Sequence, residues 1–266
     1  MTESSIRSGC TMEQKSLEKA LRETRETIRE AVAAEKVISV VTYYLSDYGE
    51  NVLNLVAREI LEKYGRMDLH DIVYTSAKEL VINGTKANLK RAIFTQEGLD
   101  LDNPEEYSRG MEMFRENLSE ENIKGFRRTF REMNFPVTAT FYYKAEVLNI
   151  KVKNNFTLIT QEQERIRTKF AQAQSFTSLL DFFMEHGDAT EGAGLGLTMV
   201  GILLDETGID RHAFTLYSNE KYNETAARLE IPLKQDYIPR RLQFERELET
   251  SGLSRDEFRL TFKPKF

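Results

Sequence analysis

The segment EGAGLGL, Glu191 to Leu197, constrains this chain more than any other, because glycines at 192, 194 and 196 lead directly into an apolar run from Leu195 to Leu204. Glycines without Cβ atoms let an anion approach the backbone, and a helix that begins there offers unpaired N–H groups and the positive end of its dipole. The pattern reads as a phosphate site, with a tight turn or flexible loop as the plainer alternative. It is not the dinucleotide-binding fingerprint. That motif needs a further glycine where Leu197 stands and a strand leading in, whereas FFMEHGDAT precedes this one.

Upstream, residues 12 to 35 lack glycine and proline and place Leu17, Leu21, Thr24, Ile28 and Ala31 at alternating spacings of four and three. This predicts an amphipathic helix, usable as a short homodimer seam or as packing on its own domain. VISVVTYYL, Val37 to Leu45, predicts a strand, and a helical pattern from about Asn51 to Tyr64 stops at Gly65. A long helix is expected from about Leu69 to Phe94, with Val73, Ala77, Leu80, Gly84 and Ala87 on one stripe. Its other face places Glu79, Asn83, Lys86 and Lys90 at spacings of four, three and four, so an acid, an amide and two amines project together. Asparagine inside a helix competes for backbone hydrogen bonds, so Asn83 asks for a reason. A solvated charged face is the bland one.

Residues 95 to 134 read as an inserted helical pair, and the alternating runs 136–143 and 146–153 as a hairpin. The stretch 160–174 has helical composition, and 174–190 suits a movable lid. Phe214 to Ser218 and Ala226 to Leu233 predict a second strand pair. The charged tail from Gln235 is expected either to dock as a helix or to serve as an interaction arm. The division expected is an extension over 1–35, a domain over 36–234 and a tail over 235–266.

A length of 266 residues suits one compact domain with additions. The chain is 40% hydrophobic and 30% charged, with no apolar stretch near the ~20 residues of a membrane span. The N-terminus has no secretory pattern and Cys10 stands alone, so a cytoplasmic protein that does not engage a membrane is expected. A net charge of -6 argues against nonspecific nucleic-acid binding, despite the basic run Arg127 to Arg131. Three separated histidines and one cysteine argue against zinc.

The order of a helix bearing ELVINGTKAN, a strand VLNIKVKNN, the segment EGAGLGL and a strand pair carrying Thr225 resembles the GHKL superfamily over about residues 37–233. These are the gyrase, chaperone, histidine-kinase and mismatch-repair ATPases. The resemblance implies an α/β Bergerat fold: a mixed, largely antiparallel sheet with helices on one face, and ATP held with Mg2+ between helices and sheet under a lid. It implies that Asn83 coordinates Mg2+, that Glu79 orients the attacking water or nucleophile, and that Lys86 neutralises phosphate charge. Gly192, Gly194 and Gly196 would cradle the phosphates, with Asn154 and Thr225 near the adenine.

The chain departs from the family where Asp-x-Gly-x-Gly is the rule, since Asn154, Asn155, Phe156, Thr157 and Leu158 stand there. Asn154 retains a carbonyl acceptor without the carboxylate's charge. Phe156 and Leu158 bring bulk where the family keeps backbone near the ligand. No phospho-accepting histidine hairpin precedes the domain, and His70, His186 and His212 sit in other contexts, so autophosphorylation in cis is not expected. Three functions follow as expectations: an ATP-operated switch or slow ATPase with its lid at about 156–191, a kinase acting in trans on a separate protein acceptor, or a noncatalytic interaction module of the same fold.

Overall fold

The computed structural model describes residues 3–173 and 195–263. Its elements run α1 (Glu3–Ala33), β1 (Ile38–Thr42), α2 (Asp47–Lys63), α3 (His70–Gln96), α4 (Pro104–Glu116), α5 (Glu120–Gly125) and α6 (Arg127–Glu132). After these come β2 (Val137–Tyr143), β3 (Val147–Asn154), α7 (Thr160–Ala173), α8 (Leu195–Glu206), β4 (Phe214–Asn219), β5 (Glu224–Pro232), α9 (Arg240–Ser251) and α10 (Arg255–Thr261). The class is α/β. Among the described residues the strands form one open sheet, ordered β1-β2-β3-β5-β4, in which every pairing is antiparallel.

Alternation along the strands decides which side meets the helices. The register aligns Ala139, Val152 and Ala227 in one row and Phe141, Ile150 and Leu229 in the next. These side chains join Leu53, Val56 and Ile60 of α2, Val73, Ala77 and Leu80 of α3, and Val200 and Leu204 of α8 in the main core. Local chemistry sets the helix limits. Ser46 caps α2 by accepting from the Gly49 N–H, Asp47 and Glu50 lie in its positive first turn, and Gly65 takes a left-handed φ of +67° after its end.

The second half of α1 packs on its own domain. Ile28 and Val32 enter the main core, while Arg25 and Arg29 reach the buried Glu59 of α2 at 2.6 and 3.3 Å. The tail docks rather than extending as a free arm: Glu230, 1% exposed, accepts from the Tyr237 hydroxyl at 2.6 Å and the Arg240 N–H at 2.9 Å. Among the described residues no helix is long and apolar enough to cross a membrane.

The insertion contains three helices where the sequence suggests two, because the second segment breaks at Phe126, which ends α5 and precedes α6. It has its own apolar cluster, in which Leu89 and Ile93 of α3 meet Phe114, Ile123 and Phe130. Close packing here depends on Gly110 of α4, whose absent Cβ would lie 2.4 Å from the Phe94 ring. Replacing an interior helical glycine by alanine normally adds up to about 1 kcal/mol of helix stability. Overpacking typically costs about 1–3 kcal/mol. Gly110→Ala is therefore expected to lower the thermal midpoint, and a rise in that midpoint would show that the α3–α4 contact is not tight.

Candidate functional site

The site begins where α3 crosses the sheet. At Gly84 a Cβ would come within 2.9 Å of Val137 Cγ1 and 3.2 Å of Asn154 Oδ1, so only glycine lets the helix lie this close. Asn154 ends β3 on the helix-facing side, opposite Thr225 of β5. Its Nδ2 donates to the Gly84 carbonyl at 2.9 Å and to Asn88 Oδ1 at 2.6 Å. Asn88 is fully buried and donates its own Nδ2 to the Phe135 carbonyl at 2.6 Å. Thr225 donates its hydroxyl to the Phe156 carbonyl at 2.7 Å.

The preceding turn of α3 carries Glu79 and Asn83, and the first turn of α8 lies against both. A Cβ on Gly196 would sit 2.6 Å from Asn83 Nδ2 and 2.9 Å from Glu79 Oε2, closer than side chains approach. Asn83 Nδ2 is buried without a hydrogen-bond partner among the described residues. Burial pushes the Glu79 carboxyl above the ordinary glutamate range, while the ammonium groups of Lys86 and Lys78 pull the other way and Glu50 adds to the rise. A carboxylate and an amide thus meet the backbone of α8 at Gly196.

The structure therefore brings Glu79, Asn83 and Gly196 into contact, with Lys86 close enough to act electrostatically on Glu79. It places the Asn154–Thr225 pair beside them through the Gly84 carbonyl. Gly192 and Gly194, and the lid expected over 174–190, lie outside the described residues.

Lys90 serves elsewhere. It forms an ion pair with Glu162 of α7, whose other oxygen takes Arg91 Nη2 at 2.7 Å. Arg91 also donates to the Thr157 carbonyl at 2.8 Å and lies 4.9 Å over the Phe156 ring. Burial, with Arg91 and Arg165 nearby, lowers the Lys90 pKa. Phe156 and Leu158 are thus in a segment that is tied down. Phe156 packs edge-on to Phe135, and the Leu158 N–H donates to Ser218 Oγ at 3.0 Å.

Sequence reasoning missed Asn88, Arg91 and Glu162. Asn88 did carry a signal, as a second asparagine inside the long helix; Glu162 carried none, since its partners stand some seventy residues earlier. A separate depression of about 300 Å3, lined by Gln96, Asn117, Asn122 and Phe126 among others, lies under the helical insertion.

No family model matches the chain, and no solved structure matches it. It is 31% identical over 207 residues to a protein of Treponema pallidum (strain Nichols) described as uncharacterized, an alignment that takes in 78% of this chain. The chain spans 40% of that relative's length.

Glu79 gains proton affinity on folding, so its contribution to stability is present below its unfolded pKa and is lost as pH rises through the raised folded value. Glu79→Gln should accordingly melt higher than the parent at pH 7, with the advantage shrinking towards pH 4. A variant that melts lower at pH 7 would show that the carboxylate is held by contacts stronger than its burial cost. Gly196→Ala should lower the midpoint through the clash with Asn83 and Glu79.

Proposed function

We propose that this chain is a Mg-ATP-binding regulatory or signalling protein of the histidine-kinase-like GHKL type. One observation carries the reading: Glu79 and Asn83 meet Gly196 of α8, far from them in sequence, beside the Asn154–Thr225 pair. In this reading the phosphates lie between the Glu79–Asn83 face and the start of α8, and the base lies toward Asn154 and Thr225. Asn83 suits such a ligand because its buried Nδ2 has no protein partner to give up among the described residues. Its carbonyl oxygen is a fitting donor to magnesium, which prefers oxygen ligands and fills its shell with phosphate and water. When bound, that ion would supply charge neutralisation at the phosphates.

The chain's own groups would do the rest. Lys86 adds positive charge, and Glu79, with its proton affinity raised by burial, is suited to accept a proton from water or from a partner's acceptor group. Because Gly196 rests directly on Asn83 and Glu79, phosphates entering here must part α8 from α3. Ligand binding would then move the first turn of α8, which is what a nucleotide-operated switch requires. One observation favours the noncatalytic interaction module instead: Phe156 and Leu158 stand where the family has glycine, and their segment is pinned to α3, β4 and β5.

Calorimetric titration with a nonhydrolysable ATP analogue separates the two. The expected result is binding that strengthens with magnesium and exceeds that of the GTP analogue. In Asn83→Ala the magnesium dependence should disappear, while Glu79→Ala should keep binding and lose turnover or transfer. Absence of binding at millimolar ligand would overturn the nucleotide reading and leave the interaction module.

A further inference from the structure

We propose that Asn88 is a positioning residue that holds Nδ2 of Asn154 to the protein, so that the Oδ1 of an uncharged residue serves as a committed acceptor for the amino group of an adenine-type base. This inference rests on the nucleotide reading above. An asparagine amide is ambiguous by nature: it presents a donor or an acceptor depending on which way it is turned, whereas a carboxylate only accepts. A base with an amino group and one with a carbonyl at the same position would both find a partner in a free asparagine. Here the choice is made inside the protein.

The Phe135 carbonyl can only accept, so Asn88 must turn Nδ2 towards it, as the 2.6 Å contact shows. Asn88 Oδ1 then faces Asn154 and can only accept, so Asn154 must present Nδ2 to it at 2.6 Å. The Gly84 carbonyl, 2.9 Å from the same Nδ2, makes the same demand. Asn88 is 0% exposed and Asn154 7%, so water does not readily replace these partners. Turning Asn154 over would set its oxygen against two acceptors and bury them unpaired. Its Oδ1 takes no hydrogen bond among the described residues and is the atom left for a ligand.

This arrangement inverts the expectation that the family motif alone would give. Asn154→Asp restores the family's residue, yet an ionised aspartate has no donor for Gly84 O or Asn88 Oδ1. Protonated, its O–H replaces one of the two lost bonds. The variant should therefore be less stable than the parent at pH 7.5, where two buried acceptors stay unpaired, and should recover part of that loss as pH falls towards 5.5. Its thermal midpoint, measured without nucleotide, should drop below the parent's by more at pH 7.5 than at pH 5.5.

Other charged groups lie on the surrounding elements: Glu79, Lys86, Lys90 and Arg91 on α3, Lys151 and Lys153 on β3, Glu224 and Arg228 on β5, and Glu162 on α7. Lys90 and Arg91 pair with Glu162, and Lys151 and Lys153 with Glu224. All are common to parent and variant, so the parent titrated at each pH removes their contribution.

Asn88→Leu isolates the positioning role. In that background one of the two opposing acceptors is gone, so adding Asn154→Asp should cost less midpoint than it does in the parent, and in Asn88→Leu alone the preference for the ATP over the GTP analogue should fall. An Asn154→Asp protein that melts at the parent's midpoint at pH 7.5, a drop without pH dependence, a drop equal in both backgrounds, or an Asn88→Leu protein that keeps the parent's preference for the ATP analogue would overturn the proposal. If the parent binds no adenine nucleotide, the function reading fails and takes the base-selecting role with it. The nucleotide-free melting curves then still report whether Asn88 holds Asn154 as described.

Discussion

The closeness of α3 to the sheet at Gly84 is the constraint on which the rest of this structure depends. A methyl group there would meet Val137 and Asn154, so the helix would have to lift, and three contacts would go with it. The Gly84 carbonyl would lose Asn154, Asn88 would lose its purchase on the same amide, and Glu79 and Asn83, on the preceding turn, would move from the start of α8. A single missing side chain thus sets the spacing between a polar helix face and the strand ends. The bonds involved are individually modest, but they are buried, and leaving a buried partner unpaired costs more than making the bond gains.

Around this junction the molecule holds its polar groups from several sides. The Glu162 carboxylate joins Lys90 and Arg91, so α7 is tethered to α3, and the 155–159 segment is held to Arg91 through the Thr157 carbonyl and the Phe156 ring. The helical insertion buries the far end of α3 through Leu89, Ile93 and Phe94, and the docked tail covers Glu230 on the opposite side of the sheet. In contrast, the contact between α8 and the Glu79–Asn83 face leaves an orphan donor on Asn83 and a carboxylate whose charge is disfavoured. Ser76 Oγ and Arg91 Nη1 of α3 are also buried without a partner among the described residues, but only Asn83 Nδ2 sits beside a carboxylate whose charge burial disfavours, and that pairing marks the place where a ligand has the most to offer.

Much of the fold was legible because periodicity and punctuation agree with the tertiary structure. The alternating runs became β2 and β3, the glycine at 65 took a left-handed conformation just beyond α2, and the long apolar stripe of α3 entered the main core through Val73, Ala77 and Leu80. The insertion was read less well, since a helix break between Gly125 and Arg127 within a charged helical sequence has no strong local signal. Of the polar face, spacing placed Glu79 and Asn83 together, but the same spacing also grouped Lys90 with them, and long-range pairing to Glu162 withdrew it. The Asn88 relay was invisible for the same reason, because its meaning lies in carbonyls and an amide contributed by other elements. Sequence patterns report which way a side chain faces. They do not report which partner it finds.

The most direct test of the account is amide hydrogen exchange on the whole chain with and without a magnesium-bound, nonhydrolysable ATP analogue. The account predicts increased protection in three separated segments together: the Glu79 to Asn88 stretch of α3, the strand ends at Asn154 and Thr225, and the first turn of α8 at Gly196. Protection confined to the insertion around Gln96 and Phe126, or no change at saturating ligand, would contradict it.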